Sequence, residues 1–546
     1  MGNYIIGIGG TGMRCLESFV HLCASGMMDQ EEINALLLDT DFNNGNKSRT
    51  RDLIHTYISL RNSQANRDEP ECAIPLQDSL FSAKLNLYEF YPHYQGNNST
   101  FTKICDHDGN VPLEIRRSND DLANLFFDDN TRNFDLEHGY RAQTHIGSYL
   151  MFHEIVNHVR RVKKGAEEKK ERGLYSFLEK LTQDQDGKVF ILGSIFGGTG
   201  ASSIPIIPRA LEAASSELGA GVALSAIQFG TTLLSNYFSF PSPGDAQEQR
   251  DRVVASAQRF ALNSQAALMF YEGDRTVQDT YQRLYLLGWP SSPHDYGKDQ
   301  AGKETLTGGK SQTNSSHVIE LMAAFAAHDF FRQAKKKKIE EDEHKWFYRS
   351  VAQNGNAFQY TFADFAGEEA SATFKQKFTA LFGLALLVQN DFDGSSAALY
   401  ESLYKGDTKK LMNEHLGGDG AISSDQFKLL DKYLGAFAYQ QNGEYTPGYL
   451  MQLQQSSTQS DFLFNADAFA SDPKTLRKFG WGRIPKEKEE WAQKKKFTLG
   501  KGYFDPYSRI FRENTSVRPD ASLPTNMDRF LNWNYRTMKE LFFGAE

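Results

Sequence analysis

Short apolar runs that end in glycine or aspartate recur along the first half of the chain, and helical patterns separate them. The runs are NYIIGIG at 3–9, INALLLDTD at 33–41, KVFILGSI at 188–195 and GVALSAIQFG at 221–230. Continuous apolar runs of this length predict buried strands. Strands that alternate with amphipathic helices predict an α/β fold, in which helices cover both faces of a mostly parallel, Rossmann-like sheet.

The remaining pattern adds helices and one more strand. Helical patterns fall at 12–26, 139–165, 203–219, 246–262, 369–389 and 527–543, and AALMFYEG at 266–273 predicts a strand. The segment SSHVIELMAAFAAHDFFRQ at 315–333 is apolar on nearly every side, which predicts a helix buried between two layers. Residues 45–135 are polar and rich in Asn and Asp, so we interpret them as a long insertion, partly loop.

Composition narrows the class of protein. Hydrophobic residues make up 40% of the 546 residues, enough for a real core, and 60 basic against 69 acidic residues argue against a protein that coats nucleic acid. The four cysteines have no C-x-x-C spacing, which predicts reduced thiols in a cytoplasmic protein. No apolar run reaches membrane-spanning length, and the thirteen histidines suggest no metal ligand set. We therefore predict no membrane span, no direct nucleic-acid binding and no protein-bound metal centre.

Two glycine-rich turns, GIGGTG at 7–12 and FGGTGASS at 196–203, each follow an apolar run. Glycines after a buried strand allow positive φ and bring backbone N–H groups close to an anion, and the following helix adds its positive N-terminal end. Each turn alone is weak evidence. Together, at the ends of parallel strands, they predict one extended polyphosphate held from two sides.

A dinucleotide-binding Rossmann unit is an alternative interpretation. Gly7, Gly9 and Gly12 satisfy G-x-G-x-x-G, and Asp39 could be its ribose-binding acid. Against this reading, Asp39 lies 27 residues beyond Gly12 and the second glycine turn has no role. A Walker P-loop is excluded at GGKS, residues 308–311, because Glu304 stands where the first glycine should be.

Three segments resemble the first, third and signature nucleotide loops of the tubulin/FtsZ GTPases, and they occur in the family's order. They are GIGGTG at 7–12, LLLDTDFNN at 36–44 and VFILGSIFGGTGASSIP at 189–205. The signature GGGTG[ST]G reads here as FGGTGAS, and the long insertions resemble those of a divergent prokaryotic or viral branch. The resemblance implies a GTP-binding domain at 1–313 that contains the 45–135 insertion, a central helix at 314–338, and a C-terminal activation-like α+β domain with an extension at 339–546.

The resemblance also implies the residues that bind GTP and Mg²⁺. The first loop would hold the α- and β-phosphates, the third would face the γ-phosphate directly or through Mg²⁺, the signature loop would donate N–H groups, and a helix start would contact the guanine. These residues are Gly9, Gly10, Thr11 and Gly12; Asp39, Thr40 and Asp41; Gly197, Gly198, Thr199, Gly200 and Ala201; and Asn314. Gly230-Thr231-Thr232 would be the ribose loop. The plainer alternatives are a strand-end turn with an Asx hydrogen bond at Thr40 and Asp41, and a helix cap at Asn314.

A fourth resemblance concerns hydrolysis. FQYTFADFAGEE at 358–369 resembles the family's acidic synergy loop, which implies that Asp364 orients the attacking water in the next subunit of a head-to-tail filament. Thr361 stands at the loop's first acidic place, and Glu368 or Glu369 could substitute for it. Three functions stay open: a filament-forming GTPase, a nucleotide-binding scaffold that acts on partner proteins with little or no hydrolysis, and a Rossmann oxidoreductase. For Asp364 the plainer alternative is a surface acid ahead of a helix.

Overall fold

A computed structural model of the chain provides the coordinates. It describes the chain except for several segments. The described residues are 2–28, 31–41, 44–62, 80–92, 94, 96, 99–107, 113–136, 139–140, 143–184, 186–219, 226–237, 260–288, 316–336, 345–350, 352–354, 357–359, 362–391, 422–441, 445–447, 513–514 and 525–543.

Seven parallel strands form one sheet in the order β3-β2-β1-β4-β5-β6-β7. They are β1 Asn3–Ile8, β2 Glu32–Leu38, β3 Lys84–Phe90, β4 Lys188–Leu192, β5 Gln228–Leu234, β6 Tyr281–Gly288 and β7 Trp346–Ser350. Every residue of β1, β4 and β5 is buried, as expected for parallel strands covered on both faces. The α/β, mostly parallel, Rossmann-like prediction is confirmed.

The helices cover the two faces of this sheet. They are α1 Gly9–Ala24, α2 Gly45–Asn62, α3 Phe101–His107, α4 Leu113–Phe126, α5 Asp129–Asn133, α6 Thr144–Lys163, α7 Leu174–Gln183, α8 Thr199–Ser203, α9 Ile207–Glu217, α10 Phe260–Gly273, α11 Arg275–Thr280, α12 Val318–Lys336, α13 Phe362–Ala366, α14 Glu368–Asp391, α15 Ser424–Ala438 and α16 Asn526–Phe543. One apolar core joins α1, α2, α12 and α14–α16 to one face, and a second joins α6, α7 and α9 to the other.

The central helix is buried, as its apolar pattern predicts. α12 packs along α1 and lies over β4, β5 and β6. Gly230 allows this approach, because a Cβ at that position would lie 2.7 Å from the Phe330 ring and 2.8 Å from the Phe190 ring. The apolar segment 378–388 likewise lies inside helix α14, where Leu381 and Leu384 are fully buried.

The strand prediction at 266–273 is wrong, because these residues form the second half of α10. β5 and β6 run parallel, so the chain must cross over between their ends, and a helix is the usual crossover. A short apolar run does not by itself distinguish a strand from a helix. The strand that follows the crossover is YQRLYLLG at 281–288, and the helix predicted at 246–262 lies mostly outside the described residues.

The interpretation of residues 45–135 as an insertion, partly loop, also needs correction. Its first part forms α2, and its aromatic segment forms β3, which extends the main sheet beside β2 in parallel register. The sheet also reaches past residue 338, because β7 pairs with β6. The edge strand β3 therefore comes from the segment interpreted as an insertion, and the edge strand β7 comes from the segment predicted to be a C-terminal domain.

Smaller elements and surface properties complete the fold. Two antiparallel hairpins lie in the C-terminal half, formed by β8 Ala352–Asn354 with β9 Ala357–Gln359 and by β10 Tyr439–Gln441 with β11 Tyr445–Pro447. Cys15 and Cys23 are buried free thiols. Within the described part of the chain, no helix is long and apolar enough to cross a membrane.

Candidate functional site

Three polar turns follow β1, β2 and β4, which are neighbours in the sheet. The chain leaves β1 toward β2 and β3 on one side, and β4 returns on the other side of β1. The direction of winding therefore reverses between β1 and β4, and ligands of open parallel sheets bind outside the carboxyl ends of the strands at such a point. Both glycine turns lie there, one after β1 and one after β4.

The first turn begins helix α1 directly from the strand. Gly9 has φ +65°, a backbone conformation that favours glycine. Gly12 is required by packing, because a Cβ there would lie 2.3 Å from the Leu192 carbonyl oxygen of β4. Gly10 and Thr11 are half-buried at the start of the 16-residue helix, so their backbone remains within reach of solvent.

The second turn is built differently. Gly200 packs tightly, since a Cβ there would lie 2.6 Å from the carbonyl oxygen of Ser194. Gly197 has room for a side chain, because the nearest described atom to its Cβ position is the Ser194 hydroxyl at 3.4 Å. Gly197, Gly198 and Thr199 are half-buried, and Gly198 is the N-cap of α8. The fold therefore demands glycine at position 200 but not at position 197.

The fold brings the predicted loops together. The Thr40 hydroxyl, after β2, lies 3.0 Å from the Thr199 hydroxyl, in a hydrogen bond that either group can donate. A Cβ on Gly9 would lie 3.4 Å from the Cβ of Thr199. Gly139, with φ +84°, closes against the same pair, because its Cβ position is 3.1 Å from the Thr40 hydroxyl. Segments about 190 residues apart thus meet at one edge of the sheet.

Asp39 is the structural centre of the turn after β2. Its Oδ1 accepts hydrogen bonds from the backbone N–H of Thr40 at 2.8 Å and of Asp41 at 3.3 Å, and its Oδ2 accepts one from Asn44 at 3.2 Å. This is the Asx turn expected as the plainer alternative. Asp39 is only 2% exposed, so its carboxylate points into the protein. Burial, assisted by the negative charge of Asp41, raises the pKa of Asp39 to about 7.

Three side chains of the site were not among the predicted residues. The amides of Asn44 and Asn46 face Gly10, at 3.0 Å and 3.5 Å from the position of a Gly10 Cβ. The Lys47 ammonium lies 3.8 Å from the Tyr91 ring centroid and donates to the Asp41 carbonyl oxygen at 3.4 Å. Burial lowers the pKa of Lys47, and Asp39, Asp41 and Glu89 oppose that shift. The polar run NNGNK directly after a strand was the available sequence signal.

Two positions at which the second turn differs from the tubulin/FtsZ signature are buried. Phe196, where the family has glycine, is buried and lies 4.9 Å from the ring of Phe260 and 6.3 Å from that of Tyr237. Ala201 is also buried, and its carbonyl oxygen accepts a hydrogen bond from the Tyr271 hydroxyl at 3.2 Å. Aromatic side chains on and near α10 therefore pack against the second turn.

A buried polar network ties the first turn to the central helix. Arg14, one turn into α1, forms an ion pair with Glu320 of α12. Tyr237 donates to Glu320 at 2.7 Å, and the backbone N–H of His317 donates to it at 3.0 Å. Burial raises the pKa of Glu320, whereas Arg14 lowers it. The start of α1 is therefore fixed to α12 by charge-assisted contacts.

Several predicted residues lie elsewhere. Gly230, Thr231 and Thr232 are inside β5, where the two threonines bond to the backbone of the β4 segment, so the ribose-loop prediction is wrong. Asn314 lies outside the described residues. Asp364 lies half-buried in α13, whose contacts include α12 and α14. It is therefore on the central-helix side of the molecule and not among the three turns.

The site offers backbone N–H donors and the Thr40 and Thr199 hydroxyls to an anionic ligand, whereas the Asp41 carboxylate repels an anion and would act only through a cation. Thr40 is 2% and Asp41 is 4% exposed. Hydroxyl and carboxylate oxygens are also the donors that Mg²⁺ accepts, usually together with substrate phosphates. Within the described residues, no three acidic, His or Cys side chains cluster as a ready-made metal site.

Neither the comparison with protein-family models nor that with curated proteins found a match for this chain. The function is consequently inferred from the residues and the geometry of the three turns.

Proposed function

We propose that the chain is a GTP-binding, tubulin/FtsZ-like protein that hydrolyses GTP when it assembles head to tail. One observation carries the proposal: both glycine turns and the turn after β2 meet at the winding reversal of a parallel sheet, where the Thr40 and Thr199 hydroxyls are 3.0 Å apart. A single small anion does not need two glycine turns. A chain of phosphates is long enough to contact both turns.

Each turn has a place along that chain of phosphates. The N–H groups at Gly10 and Thr11, at the positive end of α1, would bind the α- and β-phosphates. The N–H groups of Gly197, Gly198 and Thr199 would bind the β- and γ-phosphates. Thr40, Asp41 and Thr199 would face the γ-phosphate and its Mg²⁺, since hydroxyl and carboxylate oxygens suit that cation and the two hydroxyls are close together.

The geometry disfavours the oxidoreductase alternative. A ribose-binding acid must present its carboxylate to the ligand, but the Asp39 carboxylate is buried and bonded to its own turn. The second glycine turn also contributes to the same edge of the sheet, which a site built on the first turn alone does not explain.

Binding is tested with nucleotide released from the freshly purified protein and with titration of fluorescent GTP and ATP analogues. We expect guanine nucleotide to be released, and the Gly198→Ala/Thr199→Val protein to lose GTP binding. The matched control is Gly273→Ala/Thr182→Val, because Gly273 has no described atom within 4 Å of its Cβ position and Thr182 lies on α7. Nicotinamide bound equally by both double variants would overturn the proposal.

Hydrolysis in the proposed assembly needs an acid from the next subunit. Glu369 pairs with Arg332, which lies twelve residues beyond Glu320 on α12, or about 18 Å along the helix. Asp364 itself lies in α13, where the neighbouring Phe365 ring is 6.4 Å from that of Phe325, five residues beyond Glu320 on α12. An acid on that side suits a neighbour's site in a head-to-tail contact.

This step is tested by phosphate release at increasing protein concentration. If the neighbour completes the site, hydrolysis per subunit rises with concentration, together with light scattering. Asp364→Asn should then lower hydrolysis without weakening GTP binding, whereas Asp425→Asn on α15 should change neither. GTP binding without phosphate release at any concentration would instead favour the nucleotide-binding scaffold.

A further inference from the structure

A groove follows the outer edge of the parallel sheet along strand β3. β3 is the last strand of the described sheet on this side, with β2 as its neighbour. Beside residues 84–88 lies a cavity of about 220 Å³, between β3, the C-terminal end of α2 and the residues just before α7. The residues that line it belong to none of the three turns of the proposed nucleotide site.

The hydrogen bonds of β3 show which of its backbone groups face this groove. In a parallel pair, one residue directs its N–H and C=O toward the neighbouring strand, and the next residue directs them away from it. The Lys84 N–H donates to the Glu31 carbonyl oxygen at 2.9 Å, on the β2 side. The Glu89 N–H donates to the Arg172 carbonyl oxygen at 2.9 Å, on the opposite side. The odd-numbered residues of β3 therefore direct their backbone groups away from β2.

Leu85 and Leu87 present their backbone groups to the cavity. Both residues line it, although their side chains belong to the apolar core and the residues are only 5% and 2% exposed. Among the described residues, neither forms a hydrogen bond on the outer side of β3. The groove thus meets an N–H donor and a C=O acceptor from each of two alternating residues. A row of such groups on an edge strand is a template for pairing with another strand.

The chain already uses this edge at one position. Glu89 and Gly173 form an isolated parallel bridge, directly before α7 begins at Leu174. A short extended segment is therefore added to β3 near its carboxyl end. The edge continues from there toward Leu87 and Leu85, where the cavity lies.

The charged residues around the cavity select the kind of peptide that could pair there. Arg61, Lys84 and Arg172 line it together with one acid, Glu171. A ligand in a cavity of this size lies within about one Debye length, roughly 8 Å, of the lining charges. The excess of positive charge therefore favours acidic side chains, although the whole chain carries a net charge of −9.

We propose that the β3 edge binds an extended acidic peptide segment of a partner protein, which adds a strand to the sheet. A small anion would satisfy the N–H groups and the basic side chains but not the carbonyl groups of Leu85 and Leu87. The main chain of an extended peptide offers both a donor and an acceptor at every second residue, so it satisfies both. The inference does not depend on nucleotide binding.

The binding test uses a fluorescein-labelled, end-blocked peptide of three Glu-Val repeats and its Lys-Val counterpart. Fluorescence anisotropy with the full-length chain measures both affinities. We expect the acidic peptide to bind about tenfold more tightly, because it exchanges repulsion for several weak ion pairs. Methylation of all its backbone nitrogens keeps the charge but removes the donors to the edge. This change should weaken binding about tenfold, the worth of one or two hydrogen bonds.

Substitutions around the groove locate the binding. Arg172→Gln removes an exposed charge from the lining and should weaken binding of the acidic peptide about threefold, whereas Arg209→Gln, exposed on α9, should not. Asn62→Trp places a large ring beside the cavity, in the last turn of α2, and should block the peptide. Ser216→Trp, exposed in the last turn of α9, is the matched control and should bind normally.

Hydrogen–deuterium exchange tests the strand pairing itself. Saturating acidic peptide should slow exchange of the amides at Leu85 and Leu87, because pairing would protect N–H groups that face the groove. The same peptide at the same concentration should leave these amides unprotected in Asn62→Trp.

Four results would overturn the proposal. They are equal binding of the acidic and lysine peptides, equal binding of the acidic peptide and its methylated form, unchanged binding to Asn62→Trp, and displacement of the peptide by glutarate at a matched carboxylate concentration. The last result would indicate a site for small anions instead of a strand. None of these measurements involves GTP, so a failure here leaves the proposed nucleotide site untouched.

Discussion

The two glycine turns share the letters GGTG, but the fold needs their glycines for different reasons. In the first turn Gly9 takes a positive φ, and Gly12 lies against the β4 backbone. In the second turn the packing demand falls on Gly200, and Gly197 has room for a methyl group. A glycine that the fold does not need is better explained by a ligand that approaches the backbone. The second turn therefore gives the cleaner evidence for function.

The largest expected effect concerns the glycines required by packing. Gly12→Ala should lower the free energy of unfolding by about 3 kcal/mol, because its Cβ would overlap the Leu192 carbonyl oxygen, which belongs to a buried strand and cannot move away. Gly200→Ala should cost a similar amount through Ser194. Urea unfolding measures both, and stability close to wild type would show that the turns are less tightly packed than described.

Gly197→Ala should separate binding from folding. We expect the free energy of unfolding to change by less than about 0.5 kcal/mol, because the nearest described atom to its Cβ is 3.4 Å away. GTP affinity should fall by about tenfold, since the methyl group would occupy the space through which a phosphate reaches the N–H groups. Gly273→Ala is the control, and unchanged GTP affinity in Gly197→Ala would contradict the proposed role of the second turn.

The contact between the loops is tested by a double-mutant cycle. Thr40→Val and Thr199→Val each remove one hydroxyl of the 3.0 Å hydrogen bond. We expect a coupling of about 1 kcal/mol in stability, the ordinary net value of one hydrogen bond. In the presence of GTP and Mg²⁺ the two substitutions should also weaken binding less than additively. Full additivity in both measurements would mean that the two hydroxyls do not act together.

A pH dependence of stability belongs to the turn after β2. The pKa of Asp39 is raised to about 7 in the folded protein, from an unfolded value of 3.8. Between these values the folded chain binds more protons than the unfolded chain, so Asp39 makes stability fall as pH rises from about 4 to about 7. Above that range its contribution is constant.

Asp39→Asn should flatten this part of the stability profile, because the amide oxygen still accepts from the turn but does not titrate. Asp274→Asn is the matched control, since hydrogen bonds from the turn that it caps lower the pKa of Asp274. Thermal unfolding between pH 4 and 7 measures the difference. Parallel profiles for wild type and Asp39→Asn would contradict the assignment.

The sequence reading was most reliable where a pattern had one structural meaning. The runs at 3–9, 33–41 and 188–195 were long, apolar and punctuated by glycine or aspartate, and each is a buried parallel strand. The apolar α12 pattern likewise led to a buried helix. The reading failed at 266–273, because apolar residues of a crossover helix imitate a short strand.

Some residues of the candidate site could be predicted from local motifs, and others could not. The glycines, Thr40 and Asp41 were visible as local motifs, because positive φ and turn chemistry restrict the residue types that can stand there. Gly139 and Lys47 were not predicted, since their importance comes from segments that fold back onto the turns. Asp39 was visible as a strand-end residue, but its burial could not be predicted, because it depends on how the sheet edge is covered.

By itself the sequence determined the alternation of strands and helices, the buried central helix and the two glycine turns, because these follow from local periodicity and backbone freedom. Only the tertiary structure decided that the turns meet at one edge, that Thr40 contacts Thr199, and which glycines the packing requires. The physical reason is that strand order and close approach are properties of the assembled sheet. The atoms that a Cβ at a glycine position would contact come from other segments, so no local segment contains them.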